Sequence, residues 1–187
     1  MNIHIRQMTA QDQDQLIDIE EAFIVDSALV LSLKDHRLAY TVQERPHYVK
    51  RYAEDSPDAA NTEHSAEAAG DLDSADRVLY VAFSGGRAVG KLVLRRNWNR
   101  YAYIEDIQVD QHVRRQGIGR RLMEQAKQWT VEQELPGIML ETQNNNVGAC
   151  RLYESCGFVL GGFDSFLYKG FNKHSDEIAL FWYWLRE

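Results

Sequence analysis

The stretch Val109-Asp-Gln-His-Val-Arg-Arg-Gln-Gly-Ile-Gly119 reads as the end of a strand, a basic turn and the opening of a helix. The helix is signalled by Ile118, Leu122, Ala126 and Trp129 at i, i+4, i+8 and i+11, while Arg120, Arg121, Glu124 and Lys127 face elsewhere. At its start the first backbone N–H groups have no intrahelical partner and converge on whatever lies in front of them. Gly117 and Gly119 let a ligand approach the backbone, and Arg114, Arg115 and Arg120 add charge-assisted contacts to an anion. No Lys-Ser/Thr follows the glycines, as a nucleoside-triphosphate loop needs, and no third Gly completes a dinucleotide fingerprint. Taken alone, the segment reads equally as a phosphate-binding turn and as an ordinary strand–helix junction.

Outward from this turn, the chain alternates clear elements with punctuation. Upstream, Val78 to Phe83, a Ser84-Gly-Gly-Arg87 turn, Ala88 to Arg96, a turn over Asn97 to Arg100 and Tyr101 to Val109 predict an antiparallel meander. Downstream, Pro136 and Gly137 stop the helix and Ile138 to Glu141 forms a short strand. Asn146 then opens a second helix through Ala149, Leu152 and Tyr153 to Cys156, which Gly157 ends. Phe158 to Tyr168 and Glu177 to Leu185 are two further predicted strands, the second too apolar for a bare sheet edge. At the amino terminus, Ile3 to Met8 alternates as a strand, and Leu16, Ile19 and Phe23 follow at helical spacing. Asp26 to Glu54 is mixed, with Pro46 breaking any long helix; the aromatic and basic run His47 to Tyr52 faces either substrate or solvent. Ser56 to Asp76 is poor in large apolar residues and reads as a flexible acidic loop.

The 187 residues fit one domain, 1–187, with residues 56–76 as an insertion inside it. The 21 Lys and Arg against 28 Asp and Glu leave a formal charge of −7, which argues against nucleic acid or an anionic membrane and suits a cationic small substrate. Cys150 and Cys156, six apart, fall on different faces of a helix and predict neither a disulfide nor a metal pair. His4, His36, His47, His64, His112 and His174 show no ligand spacing, so no metal is expected. No apolar run approaches the ~18 residues of a membrane span, and a signal-peptide core is lacking, so the expected location is cytoplasmic.

Arg114, Gly117 and Gly119, standing after a central strand, match the pattern Arg/Gln-x-x-Gly-x-Gly/Ala. Asn146, Ala149, Leu152, Tyr153, Gly157 and Phe158 match Asn-x-x-Ala-x-x-Leu/Phe-Tyr-x-x-x-Gly-Phe. With both motifs in this order and at this separation, the chain resembles the GNAT superfamily of N-acetyltransferases, closely from Val78 onward and loosely over the first 75 residues. The resemblance implies an α/β (α+β) fold with a mixed, mostly antiparallel central sheet of six to seven strands flanked by about four helices. It implies acetyl-CoA as co-substrate and direct acetyl transfer in a ternary complex. Main-chain groups around Ile107 and Val109 would pair with the pantetheine arm like an added strand. Arg114 and the amides of Arg115, Gln116, Gly117, Ile118, Gly119 and Arg120 would hold the pyrophosphate. Asn146 would contact the cofactor, and Tyr153 would act as general acid near its sulfur; by helical spacing alone, an aromatic there is a core residue.

Attack on a thioester requires an amine without its extra proton. With an alkyl ammonium pKa near ~10.4, deprotonation at pH 7 costs about 4 to 5 kcal/mol, which a nearby carboxylate lowers. Glu105 and Asp106, on the strand leading into the motif, are the candidates, with Glu105 favoured as base and Asp106 as substrate anchor. Adjacent strand residues point to opposite faces unless a bulge intervenes, so one is expected to face the site.

Ala102 to Ile107, Glu141 to Asn144, Phe166 to Gly170 and Asp176 to Tyr183 are similar to the streptothricin acetyltransferases within that superfamily. That resemblance implies acetylation of the β-lysine amine of a cationic antibiotic, and thereby resistance. A polyamine, a protein amino terminus or a lysine is the alternative acceptor, and a non-catalytic acetyl-CoA-binding module the alternative class. The partner expected is a small-molecule amine, without nucleic acid or membrane; a homodimer is left open.

Overall fold

The structure is a computed structural model that describes residues 2–9, 12, 19, 22–51 and 76–187. In chain order its strands are β1 (Ile3–Gln7), β2 (Phe23–Lys34), β3 (Arg37–Lys50), β4 (Arg77–Ser84), β5 (Arg87–Arg96), β6 (Ala102–Val109), β7 (Gly137–Gln143), β8 (Val159–Asp164) and β9 (Ala179–Leu185). Two α-helices are present among the described residues, α1 (Ile118–Glu132) and α2 (Val147–Ser155), where about four were expected. The described residues group into two compact units, one built on β1, β4, β5, β6 and α1, the other on β2, β3, most of β7, α2, β8 and β9. Seven strands belong to the main sheet, while β2 and β3 form a separate ribbon.

In the first unit the strand order is β1-β4-β5-β6, antiparallel throughout, with Ile5 opposite Ala82, Tyr80 opposite Leu92 and Leu92 opposite Ile107. The expected meander is therefore present. One face carries Gly90, Leu92 and Leu94 under α1, whose Ile118, Leu122, Met123, Ala126 and Trp129 are buried. Full burial of one large apolar side chain contributes about 1.5–3 kcal/mol. Gly90 is required by that packing, because a Cβ would stand 2.9 Å from the Gln108 carbonyl and 3.4 Å from Ile118 and Leu122. The other face packs Leu79, Val81, Phe83, Ala88 and Val93 with Met8 and Ile19.

In the second unit the segment left mixed by sequence is a long antiparallel ribbon, β2 on β3, and Phe23 begins β2 instead of continuing a helix. Its two-residue turn places both Asp35 and His36 at positive φ, the conformation hairpins prefer, without the Asn-Gly or Asp-Gly pair that usually signals it. Pro46 lies in the irregular stretch where Val25 pairs with Tyr48 and Ser27 with Glu44, so the ladder loses no N–H to it. Strands β7, β9 and β8 follow in that spatial order, and β9 is flanked on both sides, as its apolar composition requires. The strand expected over Phe158 to Tyr168 stops at Asp164. That carboxylate accepts from the amides of Phe166 (2.7 Å) and Leu167 (3.1 Å) and turns the chain into a 3₁₀ turn over Leu167–Gly170.

Leu16 of the expected amino-terminal helix and all of the acidic stretch 56–76 except Asp76 lie outside the described residues. Cys150 and Cys156 are buried and free; burial pushes the Cys150 thiol up to about 12, which leaves it unreactive. Among the described residues no three His, Cys, Asp or Glu side chains converge on one point, and no helix is long and apolar enough to cross a membrane.

Candidate active site

The turn after β6 is organised by Asp110, only 1% exposed. Its carboxylate accepts from the His112 amide at 2.9 Å and pairs with Arg87, while its own amide donates to Val89 O at 3.0 Å. Arg114 is half-buried and its Nε donates to Val109 O at 3.0 Å, tying the turn back onto the strand end. Arg115 adopts φ 64°, a left-handed conformation that costs a non-glycine residue about 1–2 kcal/mol. Such local strain concentrates at ligand sites.

Gly117 is the N-cap of α1 at φ 80° and ψ 5°, and no side chain caps the helix. The first intrahelical bond is Arg121 N to Gly117 O, at 3.1 Å. A Cβ on Gly117 would meet nothing within 4 Å, so backbone conformation, and not crowding inside the protein, demands glycine there. The helix start therefore presents main-chain donors and the positive end of its dipole, with Arg115, Gln116, Gly117 and Arg120 exposed around it. Ile118 is buried, which leaves only its backbone to serve a ligand. Upstream, Ile107 pairs with Leu92 and Val109 with Gly90, both half-buried.

β6 carries the bulge that decides where its carboxylates point. Val93 pairs with Asp106 and Leu94 with Ile104, so Glu105 is the extra residue. Glu105 accepts from Arg95 Nε at 2.7 Å on one oxygen and from Arg77 Nε at 2.9 Å on the other. Asp106 pairs with Lys91 at 2.9 Å. Lys91 and Arg95 are four apart on regular β5 and share a face, so both carboxylates are drawn to one face instead of two. Both Glu105 oxygens hold a guanidinium, whereas Asp106 shows one ion pair among the described residues.

The remaining sequence candidates belong to the second unit. Asn146 is the N-cap of α2, its Oδ1 accepting from the Ala149 amide at 3.2 Å. Tyr153 is 5% exposed, its ring 6.3 Å from those of Phe158 and Trp182. It is thus a packed residue, as its helical spacing predicted.

Sequence reasoning missed a polar cluster in the same unit. Glu141 on β7 accepts a hydrogen bond from the Tyr168 hydroxyl, and burial pushes its carboxyl up, with Glu177 as a further raising charge. Glu177 pairs with Lys50, which is 6% exposed, and accepts from Asn145 Nδ2 at 2.9 Å. That same Nδ2 also donates to the Tyr48 hydroxyl at 3.1 Å. Neighbouring Asn144 holds the segment in place: its backbone and side chain bond Leu29 and Ile178 on both sides, at 2.8–3.2 Å. These residues come from separate segments, and each alone looks like a surface polar group.

The chain is 38% identical to the streptothricin acetyltransferase of Escherichia coli over 91% of its own length and 89% of that protein's. It is 32% identical to streptothricin acetyltransferase A of Bacillus subtilis (strain 168), covering 96% and 98% of the two chains. A crystal structure of a candidate streptothricin acetyltransferase from Bacillus anthracis str. Ames, in complex with acetyl coenzyme A, superposes with a TM-score of 0.86 at 45% identity, covering 100% and 99%. The Acetyltransferase (GNAT) family matches residues 39–158, which include the turn, the bulged strand and the second motif. On these grounds the chain belongs to the GNAT family of acetyltransferases.

Proposed function

We propose that the protein transfers acetyl from acetyl-CoA to a primary amine of streptothricin, acting as one N-acetyltransferase domain over 1–187 and conferring antibiotic resistance. The observation that carries this reading is the near full-length similarity to streptothricin acetyltransferases. The left-handed, uncapped Gly117 start of α1, with Arg115 and Arg120 exposed beside it, suits a pyrophosphate.

Acetyl-CoA supplies an activated acyl group as a thioester. In this reading the amides from Arg115 to Arg120 bind its pyrophosphate, Arg114 braces the turn, and main-chain groups of Ile107 and Val109 align the pantetheine arm. Asn146 adds a cofactor contact. A β6 carboxylate takes a proton from the acceptor ammonium, the neutral amine attacks the thioester carbonyl, and Tyr153 gives a proton to the departing sulfur. The two guanidiniums on Glu105 shift our preference for that base to Asp106, with Glu105 as a bracing residue. The expected site of action is the cytoplasm.

A panel assay of CoA release tests the acceptor. Streptothricin is expected to turn over at least about tenfold faster than spermidine or a peptide amino terminus. The opposite ranking would transfer the enzyme to the polyamine or protein acetyltransferases, and no release with any amine would leave a binding module.

A further inference from the structure

Among the described residues the second unit contains a half-buried cluster whose charge and hydrogen bonding are incomplete. It has two carboxylates, Glu141 and Glu177, and one cation that pairs within it, Lys50. Taking a charge out of water is costly unless it is paired, so a cluster with an excess carboxylate favours an added cation. Lys50 and Asn145 both reach the same Glu177 oxygen, Oε1, and no described residue donates to its Oε2. Glu141 likewise receives its one hydrogen bond, from Tyr168, on Oε1.

The second observation is independent of the charges. Asn145 is 8% exposed, its Nδ2 has two acceptors, and its Oδ1 is buried without a hydrogen-bond partner. An unmade hydrogen bond at a buried acceptor costs about 1–3 kcal/mol and is rare enough in folded proteins to call for a reason. Turning the amide over would not repair it, since the Nδ2 contact to Glu177 would be lost. The backbone cannot swing it elsewhere, because Asn144 is bonded to Leu29 and Ile178. Asn145 Oδ1 is thus a buried acceptor without a donor, beside a carboxylate, Glu177, whose second oxygen receives no donor from the described residues, and both suit a cationic N–H group. An anionic ligand would be repelled by both carboxylates.

We propose that the cluster of Glu141, Asn145 and Glu177, braced by Lys50, Tyr168 and Tyr48, is a binding site for a cationic N–H group of the acceptor, and so a determinant of acceptor specificity. This rests on the amine-acetylating reading but is tested apart from it. Streptothricin is titrated calorimetrically into the wild type and into Glu141→Gln, which keeps the shape and the Tyr168 contact while removing the charge. The wild type is expected to bind, and Glu141→Gln to bind at least about tenfold more weakly, as loss of a buried charge partner predicts. Acetyl-CoA affinity should stay within about twofold in both, which a general loss of structure would not permit. Asn145→Leu, expected to weaken streptothricin to a similar extent, serves if Glu141→Gln does not fold. No binding by the wild type, or equal binding by the folded variants, overturns the site. CoA release by the wild type is measured separately, so a protein that binds streptothricin through this cluster without acetylating it refutes the enzymatic reading alone.

Discussion

The turn after β6 and the polar cluster of the second unit both suit ligands, and they are built on opposite plans. The turn offers main chain: Gly117 at φ 80°, Arg115 at φ 64° and an uncapped helix start lie within the eleven consecutive residues Val109–Gly119. The cluster offers side chains drawn from Tyr48 and Lys50 on β3, Glu141 on β7, Asn145, Tyr168 and Glu177. A backbone cradle suits a ligand part that never varies, since amides are indifferent to the side chains around them. A side-chain cluster can be retuned residue by residue, which is what discrimination among acceptors requires.

That contrast yields separable effects. The largest is expected from Tyr153→Phe, which keeps the ring packed on Phe158 and Trp182 but removes the hydroxyl. Turnover should fall by about 10²–10⁴, the range for a lost general acid, while acetyl-CoA affinity holds. Unchanged turnover in a steady-state assay would return Tyr153 to the core. Next comes Gly117→Asp, which forces a side chain into the left-handed region and sets a negative charge at the proposed pyrophosphate site. Acetyl-CoA should bind about a hundredfold more weakly, near ~2.7 kcal/mol by calorimetry, with streptothricin binding little altered. An equal loss of both ligands would break the division between cradle and cluster.

The smallest effect concerns Asn146, which has a structural role whether or not it meets the cofactor. Asn146→Ala should cost about 1 kcal/mol of stability through loss of the α2 cap, read as a lowered melting temperature. A parallel loss of acetyl-CoA affinity would give it the second role as well; loss of stability alone would confine it to the cap.

The same distinction explains what could be read in advance. The β4–β5–β6 meander and α1 were legible because alternation and 3.6-residue periodicity are local, and the Arg114 to Gly119 turn because glycines mark unusual φ. The β2–β3 ribbon was not, since Asp35-His36 turns without a glycine and Pro46 sits in an irregularity that only the pairing with β2 reveals. Glu105 and Asp106 were legible as neighbouring carboxylates on one strand, yet their directions depend on one extra residue in β6 and on Arg77, Arg95 and Lys91 across neighbouring strands. Glu141 and Glu177 stood within stretches noted for family resemblance, but nothing near them in sequence marks either as half of a charge cluster.

By itself, then, the sequence determined the strand–turn–helix that suits a pyrophosphate, the two motifs that define the family and the helix on which Tyr153 lies, because each depends on residues within a few turns of one another. Only tertiary structure decided which carboxylates are already held by arginine, which asparagine lacks a donor and which side chains from Tyr48 to Glu177 meet. Those outcomes are set by long-range register and burial, where the cost of an unpaired charge or an unmet hydrogen bond first arises.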